Sequence, residues 1–470
     1  MTQPKQANQN TWNSPRWKGI TRSYTPADVD RLRGTVHIEY TLARLGSEKF
    51  WKLLRTEPYI AALGATTGNQ AIDMAQAGLK TIYLGACQAA NNNLGSPVYG
   101  TSSAPSVVRS VNNALLQADQ ASHVEGRPEF DWMLPIVADA EAASGSHLDT
   151  FELMKAMIEA GAAAVHFDDQ VASARKCGHV SGKELVPTEE ATQKLAAARL
   201  AADILGVPTV IIARTDAGSA TLVTSDYDER DRRFLTGERS LDGYHVYRGG
   251  LQAAIARALA YALYADLLLY ETTEPNLHEA RQFANAVHAQ FPGKMLAYNC
   301  SPSFQWRAKL NEVDIACFQR DLAAMGYRFQ FLNLAGIETH NLSMYEFARD
   351  YACNGMTAYS QMQERQIETA EIPRYSAPKQ PRVAGTGYFN TGAKSFGNRR
   401  VSSSVNTEPF EMETVANSVG NGQAPISDDI EHFEMHTEDY NDGEATERTP
   451  MPHLYLLLES MPLPSTAAND

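Results

Sequence analysis

The chain has 470 residues, of which 43% are hydrophobic and 20% charged, and it carries a formal net charge of −14. That composition belongs to a globular protein and excludes a chain unstructured throughout. The acidic balance argues against a nucleic-acid partner, which would call for a basic face. No apolar run approaches the roughly 20 residues of a membrane-spanning helix, so no membrane partner is expected.

The opening stretch from Met1 to Thr11 is polar and lacks the apolar centre of a signal peptide. Five cysteines, an odd number with no CxxC pair, argue against a disulfide framework or a zinc site. A reducing, cytoplasmic location is therefore expected. Residues 1–60 read as a helical arm: the stretch Ser47-Glu48-Lys49-Phe50-Trp51-Lys52-Leu53-Leu54 carries apolar residues at helical spacing, and Trp12, Trp17 and Tyr24 suit packing against a larger body.

Short apolar runs at 61–65, 81–86, 135–139, 163–167, 209–213, 267–270, 295–298 and 329–334 predict strands. Between them, 70–77, 106–120, 150–160, 189–204, 250–264, 277–291 and 314–325 carry helical patterns. Several of these helices end at glycine, as at Ala160-Gly161 and Leu205-Gly206, where a left-handed cap is cheap. Eight strands, mostly followed by helices, predict an α/β fold, a (β/α)8 TIM-type barrel with the N-terminal helical arm and a C-terminal extension. An open doubly wound sheet would show a glycine-rich phosphate loop after its first strand. Thr66-Thr67-Gly68-Asn69-Gln70 stands there instead. The barrel is expected over 61–362, a C-terminal helical or lid region over 363–389, and an acidic, disordered tail over 390–470. That tail holds 14 acidic and 4 basic residues, so it carries −10 of the total charge. Two insertions, 171–187 and 218–249, read as long functional loops at strand ends.

In a parallel barrel the site lies at the C-terminal strand ends. Those ends present Asp139 and Glu141, then Asp168 and Asp169, then Arg214 and Asp216, Glu271, Asn299 with Ser301 and Ser303, and lastly Asn333. Acidic groups on several strand ends repel one another and need a cation. Oxygen donors without a His or Cys pattern favour Mg²⁺, or Mn²⁺, over zinc. Arg214 with Asn299, Ser301 and Ser303 reads as a carboxylate pocket. The alternative is a buried Arg214–Asp216 pair that braces the barrel. The loop Arg175-Lys176-Cys177-Gly178-His179 sets a thiol between two cations and an imidazole, which favours its ionised form.

These elements resemble the isocitrate lyase family. The likeness rests on Arg16-Trp17-Lys18-Gly19-Ile20-Thr21-Arg22, Gly68-Asn69-Gln70, Lys176-Cys177-Gly178-His179, Ile212-Ala213-Arg214-Thr215-Asp216-Ala217, Thr236-Gly237-Glu238-Arg239 and Ala297-Tyr298-Asn299-Cys300-Ser301-Pro302-Ser303. The resemblance implies Mg²⁺-dependent retro-aldol cleavage of isocitrate to glyoxylate and succinate, the glyoxylate bypass, by a homotetramer with exchanged helices. It implies that Cys177 and His179 are catalytic and that Asp139, joined by Asp168, holds the metal. It implies that Gly178, His179, Arg214, Glu271, Asn299, Ser301 and Ser303 hold the small di- or tricarboxylate substrate.

Several positions depart from the family pattern. Gly85-Ala86-Cys87 stands where serine-glycine-tryptophan is usual, and no acid occurs in 91–104. Asp168 replaces a glutamate, Asn333 a threonine, and Ala140 to Gly145 a glycine-rich turn. These changes fall on the glyoxylate and metal side, so a centre that binds Mg²⁺ and a succinate-like anion but cleaves slowly is the expectation. Two other readings accompany it. One is a 2-methylisocitrate lyase with Asn333 as a wall; the other is a weakened homologue that serves as a structural or regulatory subunit.

Overall fold

A computed structural model describes residues 12–85, 103–124, 126, 130–140, 145–174 and 182–370. Cys87, Glu141, Cys177, Gly178 and His179 lie outside the described residues, as do 91–102 and 371–470. That range includes most of the expected lid region and the whole expected tail.

Eight parallel strands close into a barrel in the order β1-β12-β11-β10-β6-β4-β3-β2. They are β1 Ile60–Gly64, β2 Ile82–Leu84, β3 Ile136–Asp139, β4 Ala164–Phe167, β6 Val210–Thr215, β10 Leu267–Tyr270, β11 Met295–Asn299 and β12 Tyr327–Leu332. The predicted strands coincide with these eight. The sequence carries them as continuous apolar runs because both faces are buried.

Alternation sorts the two faces. Val210, Ile212, Leu267, Leu269, Ala297, Phe329 and Phe331 form one cluster inside the barrel. Ile211, Ala213, Leu268, Tyr270, Leu296 and Tyr298 belong to a second cluster that packs under the surrounding helices. The helix Thr41–Thr56 plugs the N-terminal end, because Ala43, Ser47, Phe50 and Leu54 share one buried face. Phe50 meets Phe329 edge-on at 5.3 Å. Ser47 Oγ donates to the Ala163 carbonyl at 2.9 Å.

Glycine ends the helix His147–Ala160 as predicted. Gly161 is left-handed at φ 96°, and a side chain there would meet Asn112 Nδ2 at 2.4 Å. The helices Ala335–Asn354 and Met356–Ala370 complete the described chain. No described helix is long and apolar enough to cross a membrane.

The insertions differ from their reading as loops. They contribute a four-stranded sheet in the order β5-β7-β9-β8. Its strands are β5 Lys183–Leu185, β7 Ala220–Val223, β8 Leu235–Arg239 and β9 His245–Tyr247. These strands are only three to five residues long, too short for alternation or an apolar run to mark them. Their stability comes from pairing between distant segments, such as Lys183 with Ala220.

Candidate active site at the C-terminal rim of the barrel

The inward parity of the strands aims the site. Val210 and Ile212 point into the barrel, and Arg214 is the next residue of that set. The same step of two carries Val137 to Asp139, Leu269 to Glu271, Ala297 to Asn299 and Phe331 to Asn333. It also carries Ala164 through His166 to Asp168. Polar residues on core-facing positions are expensive to bury without partners. Asp139, Asp168, Arg214, Glu271, Asn299 and Ser301 are nevertheless all buried.

Two groups of contacts organise the rim. Around Asp139, Tyr83 Oη donates to Oδ2 at 3.5 Å, and His166 Nε2 lies 3.4 Å from Oδ1. Tyr83 Oη and His166 Nε2 are themselves 2.7 Å apart. Phe331 stacks on the Tyr83 ring at 4.1 Å and fixes its plane. Tyr83 and His166 were not singled out in the sequence, because each sits inside an apolar strand run and reads as filler.

The second group centres on Arg214. Its Nε and Nη2 donate to the two oxygens of Asp216 at 2.9 and 3.0 Å. Its Nη1 lies 3.5 Å from Glu271 Oε2. Asn299 Nδ2 donates to Glu271 Oε1 at 3.0 Å. Burial works against the charged guanidinium, yet Asp216, Glu271 and Asp168 outweigh it and hold Arg214 well above its ordinary range. Burial likewise opposes the Asp216 carboxylate, but Arg214 and Lys183 keep it well below the usual range. Glu271 goes the other way: its desolvation exceeds the help of Arg214 and Lys183, and its carboxyl is pushed up. Among the described residues, Glu271 Oε2 accepts no hydrogen bond beyond its ion pair with Arg214, and Asn299 Oδ1 accepts none. Two such acceptors at one rim suit a ligand that brings its own donor.

Lys183 was also missed by the sequence reading. Its ammonium, on β5 of the small sheet, is fully buried and contacts Asp216 Oδ1. Ser301 is buried, and its hydroxyl lies 2.5 Å from that of the exposed Ser303. Cys300, just before Ser301, faces outward into the helix-side cluster, and burial pushes its thiol up to about 12.

Asp169 is set apart from Asp168. Its carboxylate accepts from Thr215 Oγ1 at 2.8 Å, Tyr261 Oη at 2.9 Å and Arg257 Nη1 at 3.2 Å. It braces the barrel against the helix Leu251–Tyr261.

The stems that flank residues 175–181 meet beside this rim. Gln170 and Leu185 form an antiparallel bridge, and the Val171 amide donates to the Glu184 carbonyl at 2.8 Å. Among the described residues, no group of three or more His, Cys, Asp or Glu lies close enough to hold a metal ion.

A family model described as the isocitrate lyase family matches residues 5–242 and 237–390. The isocitrate lyase of Halalkalibacterium halodurans is 53% identical over 390 residues, which cover 82% of this chain and 91% of that protein. Isocitrate lyase 1 of Mycobacterium tuberculosis is 50% identical over 398 residues, covering 82% and 93%. The isocitrate lyase of Escherichia coli K12 is 50% identical over 405 residues, covering 83% and 93%. Among solved structures, a 2,3-dimethylmalate lyase aligns with a TM-score of 0.52 at 20% identity over 75% of this chain and 95% of that one. A phosphoenolpyruvate phosphomutase from Streptomyces platensis aligns with a TM-score of 0.52 at 16% identity, covering 75% and 99%, and shares the fold. The rim geometry and the near-full-length likeness lead to one assignment: the chain belongs to the isocitrate lyase family, whose members are carbon–carbon lyases.

Proposed function

We propose that the protein cleaves isocitrate to glyoxylate and succinate at this rim, with Mg²⁺ as cofactor, as the entry to the glyoxylate bypass. The observation that carries the reading is the buried Arg214–Glu271–Asn299 group, with its unfilled acceptors, in a chain about half identical to isocitrate lyases. The donors fit a hard cation. Asp139 and Asp168 are buried carboxylates on neighbouring strands. Mg²⁺ keeps several waters and often takes only one or two carboxylates, so a third protein ligand is not required. Bound there, the ion would stabilise negative charge on the oxygen that becomes the aldehyde. Mn²⁺ meets the same donors.

The chain's own residues supply the rest. Tyr83 and His166 hold Asp139 in place through the contacts above. Arg214, Ser301 and Ser303 hold the carboxylates of the half that leaves as succinate, and Asn299 and Glu271 line the adjoining wall. Gly178 gives close backbone approach and His179 a further donor. As the carbon–carbon bond breaks, the hydroxyl passes its proton to a carboxylate of the rim acting as base, and the bond electrons pass to the succinate carbon. Cys177 then gives that carbon a proton from its thiol. The rim position of the Gln170 and Leu185 stems supports this role for Cys177.

The working form is proposed to be a cytoplasmic homotetramer. Unpaired Cys300, Cys317 and Cys353 suit a reducing location, and the exposed apolar faces of the helices Ala335–Asn354 and Met356–Ala370 suit burial against other copies. The test is to incubate the purified full chain with isocitrate or 2-methylisocitrate, with and without Mg²⁺. Glyoxylate from isocitrate, only with the metal, is the expected result. A folded protein that forms no glyoxylate would refute the proposal. Pyruvate formed faster from 2-methylisocitrate would reassign the substrate.

A further inference from the structure

A buried arginine that is fully matched by one carboxylate has no charge left for a substrate. Arg214 meets that condition on one edge, since Asp216 takes both its Nε and its Nη2. An Arg214–Asp216 pair alone would be neutral, and it would brace the barrel without attracting an anion. The structure adds a third member. Lys183 reaches Asp216 Oδ1 from β5, a strand that lies outside the barrel sheet. Its side chain is as fully buried as that of Asp216.

Burying an ammonium is costly, and an apolar side chain of similar volume often packs as well or better. Bracing therefore does not explain a lysine here. Charge balance does. Arg214, Asp216 and Lys183 together carry one net positive charge. Glu271 also faces Arg214 and would draw on the same positive charge, so without Lys183 the two carboxylates would outnumber the one guanidinium. Asp168 acts on Arg214 from farther away and is assigned above to the cation.

We infer that Lys183 is a positioning residue for the substrate: by sharing Asp216 with Arg214, it leaves the guanidinium oriented and still cationic toward a substrate carboxylate. The inference rests on the proposed role of Arg214 as carboxylate holder. It extends the site to the small sheet, which no sequence motif had tied to substrate. Lys183 is anchored there by the Gly182 amide, which donates to the Ser219 carbonyl at 3.1 Å, three residues beyond Asp216.

The test uses the full chain in Mg²⁺ buffer. Succinate affinity is measured by calorimetry, and isocitrate cleavage by steady-state kinetics. Folding is checked by circular dichroism. Lys183→Met should weaken succinate by about tenfold and raise KM for isocitrate by a similar factor, with a smaller change in kcat. Lys183→Arg keeps the charge and should stay within about threefold of the parent protein. The decisive variant is Lys183→Met combined with Asp216→Asn. It removes one positive and one negative charge, so succinate affinity should recover part of the loss, the remainder reporting the two-oxygen hold of Asp216 on Arg214. A bracing role predicts the reverse, because the double variant would lose more contacts than the single one.

The inference is overturned if folded Lys183→Met binds succinate within a factor of about two of the parent. It is also overturned if the double variant binds no better than the single. If Lys183→Met fails to fold because Asp216 is left unmatched, the double variant alone decides. A parent protein that neither binds succinate nor cleaves isocitrate would instead refute the function on which the inference rests.

Discussion

A guanidinium held on one edge by an aspartate presents its other edge in a set direction, and the site depends on that geometry. Lysine cannot reproduce it, because an ammonium has no fork. Arg214→Lys is therefore expected to fold normally yet lower kcat/KM for isocitrate by about 100-fold or more. Near-parent kinetics would show that Arg214 braces the barrel and does not hold substrate. Cys177→Ser separates proton transfer from binding. It should abolish glyoxylate formation and leave succinate affinity within about twofold of the parent, since a hydroxyl is a far weaker proton donor than a thiol. Full turnover in that variant would remove Cys177 from the chemistry. Both residues stand out in the sequence for a physical reason: each is a charged or reactive group in a setting that packing does not explain. Lys183, Tyr83 and His166 do not stand out. Lys183 looks like an exposed lysine until a segment 33 residues away brings Asp216 to it. His166 hides within Ala164–Phe167, where parity alone could have flagged it.

At the level of elements, the N-terminal end of the barrel is fastened by an ionic knot. Asp266, just before β10, accepts from Arg16 of the arm and from Arg199 of the helix Thr188–Leu205, both at 2.6 Å. It also accepts from the Ile211 amide of β6 at 2.8 Å. Burial opposes the Asp266 carboxylate, but Arg16 and Arg199 prevail and hold it well below the usual range. A lowered folded-state pKa contributes stability that is complete above the unfolded value of about 3.9 and is lost as pH falls toward the folded value. Asp266→Asn should therefore cost about 3–5 kcal/mol at neutral pH, because two arginines are left unmatched. The gap between parent and variant should narrow at the most acidic pH at which both stay folded. Urea titrations across that range measure it, and a cost that did not shrink on acidification would exclude the ionic account. The eight barrel strands and the helices between them were legible because each is apolar on both faces or amphipathic at one period. The small sheet was not, since Leu235–Arg239 is a largely exposed strand in which only Leu235 packs against the core, paired with β9.

On the scale of the whole molecule, the described chain ends in two helices that, among the described residues, pack on each other and leave most of their surface open. Leu342, Met344, Tyr345, Tyr351, Met356, Tyr359 and Ile367 are all exposed on them. Of the helix Ala335–Asn354, only Ala335 and Gly336 are buried. A helix hairpin that turns this much apolar surface outward is stable in water when other copies cover it. Val36, Ile38 and Leu45 of the arm are exposed as well, and they offer apolar surface of the same kind on the same chain. The proposed tetramer has a mass of about 206 kDa, four times the 51.6 kDa chain. Light scattering on the purified full chain should return that value. Met344→Glu with Tyr345→Glu should shift the protein to smaller species, because charges placed in an apolar contact must be desolvated without partners. The barrel is complete within one chain, so the dissociated variant should keep its circular dichroism spectrum. Two results would sink the assembly reading: a parent protein that runs as a single 51.6 kDa chain, or a glutamate variant that stays fully assembled.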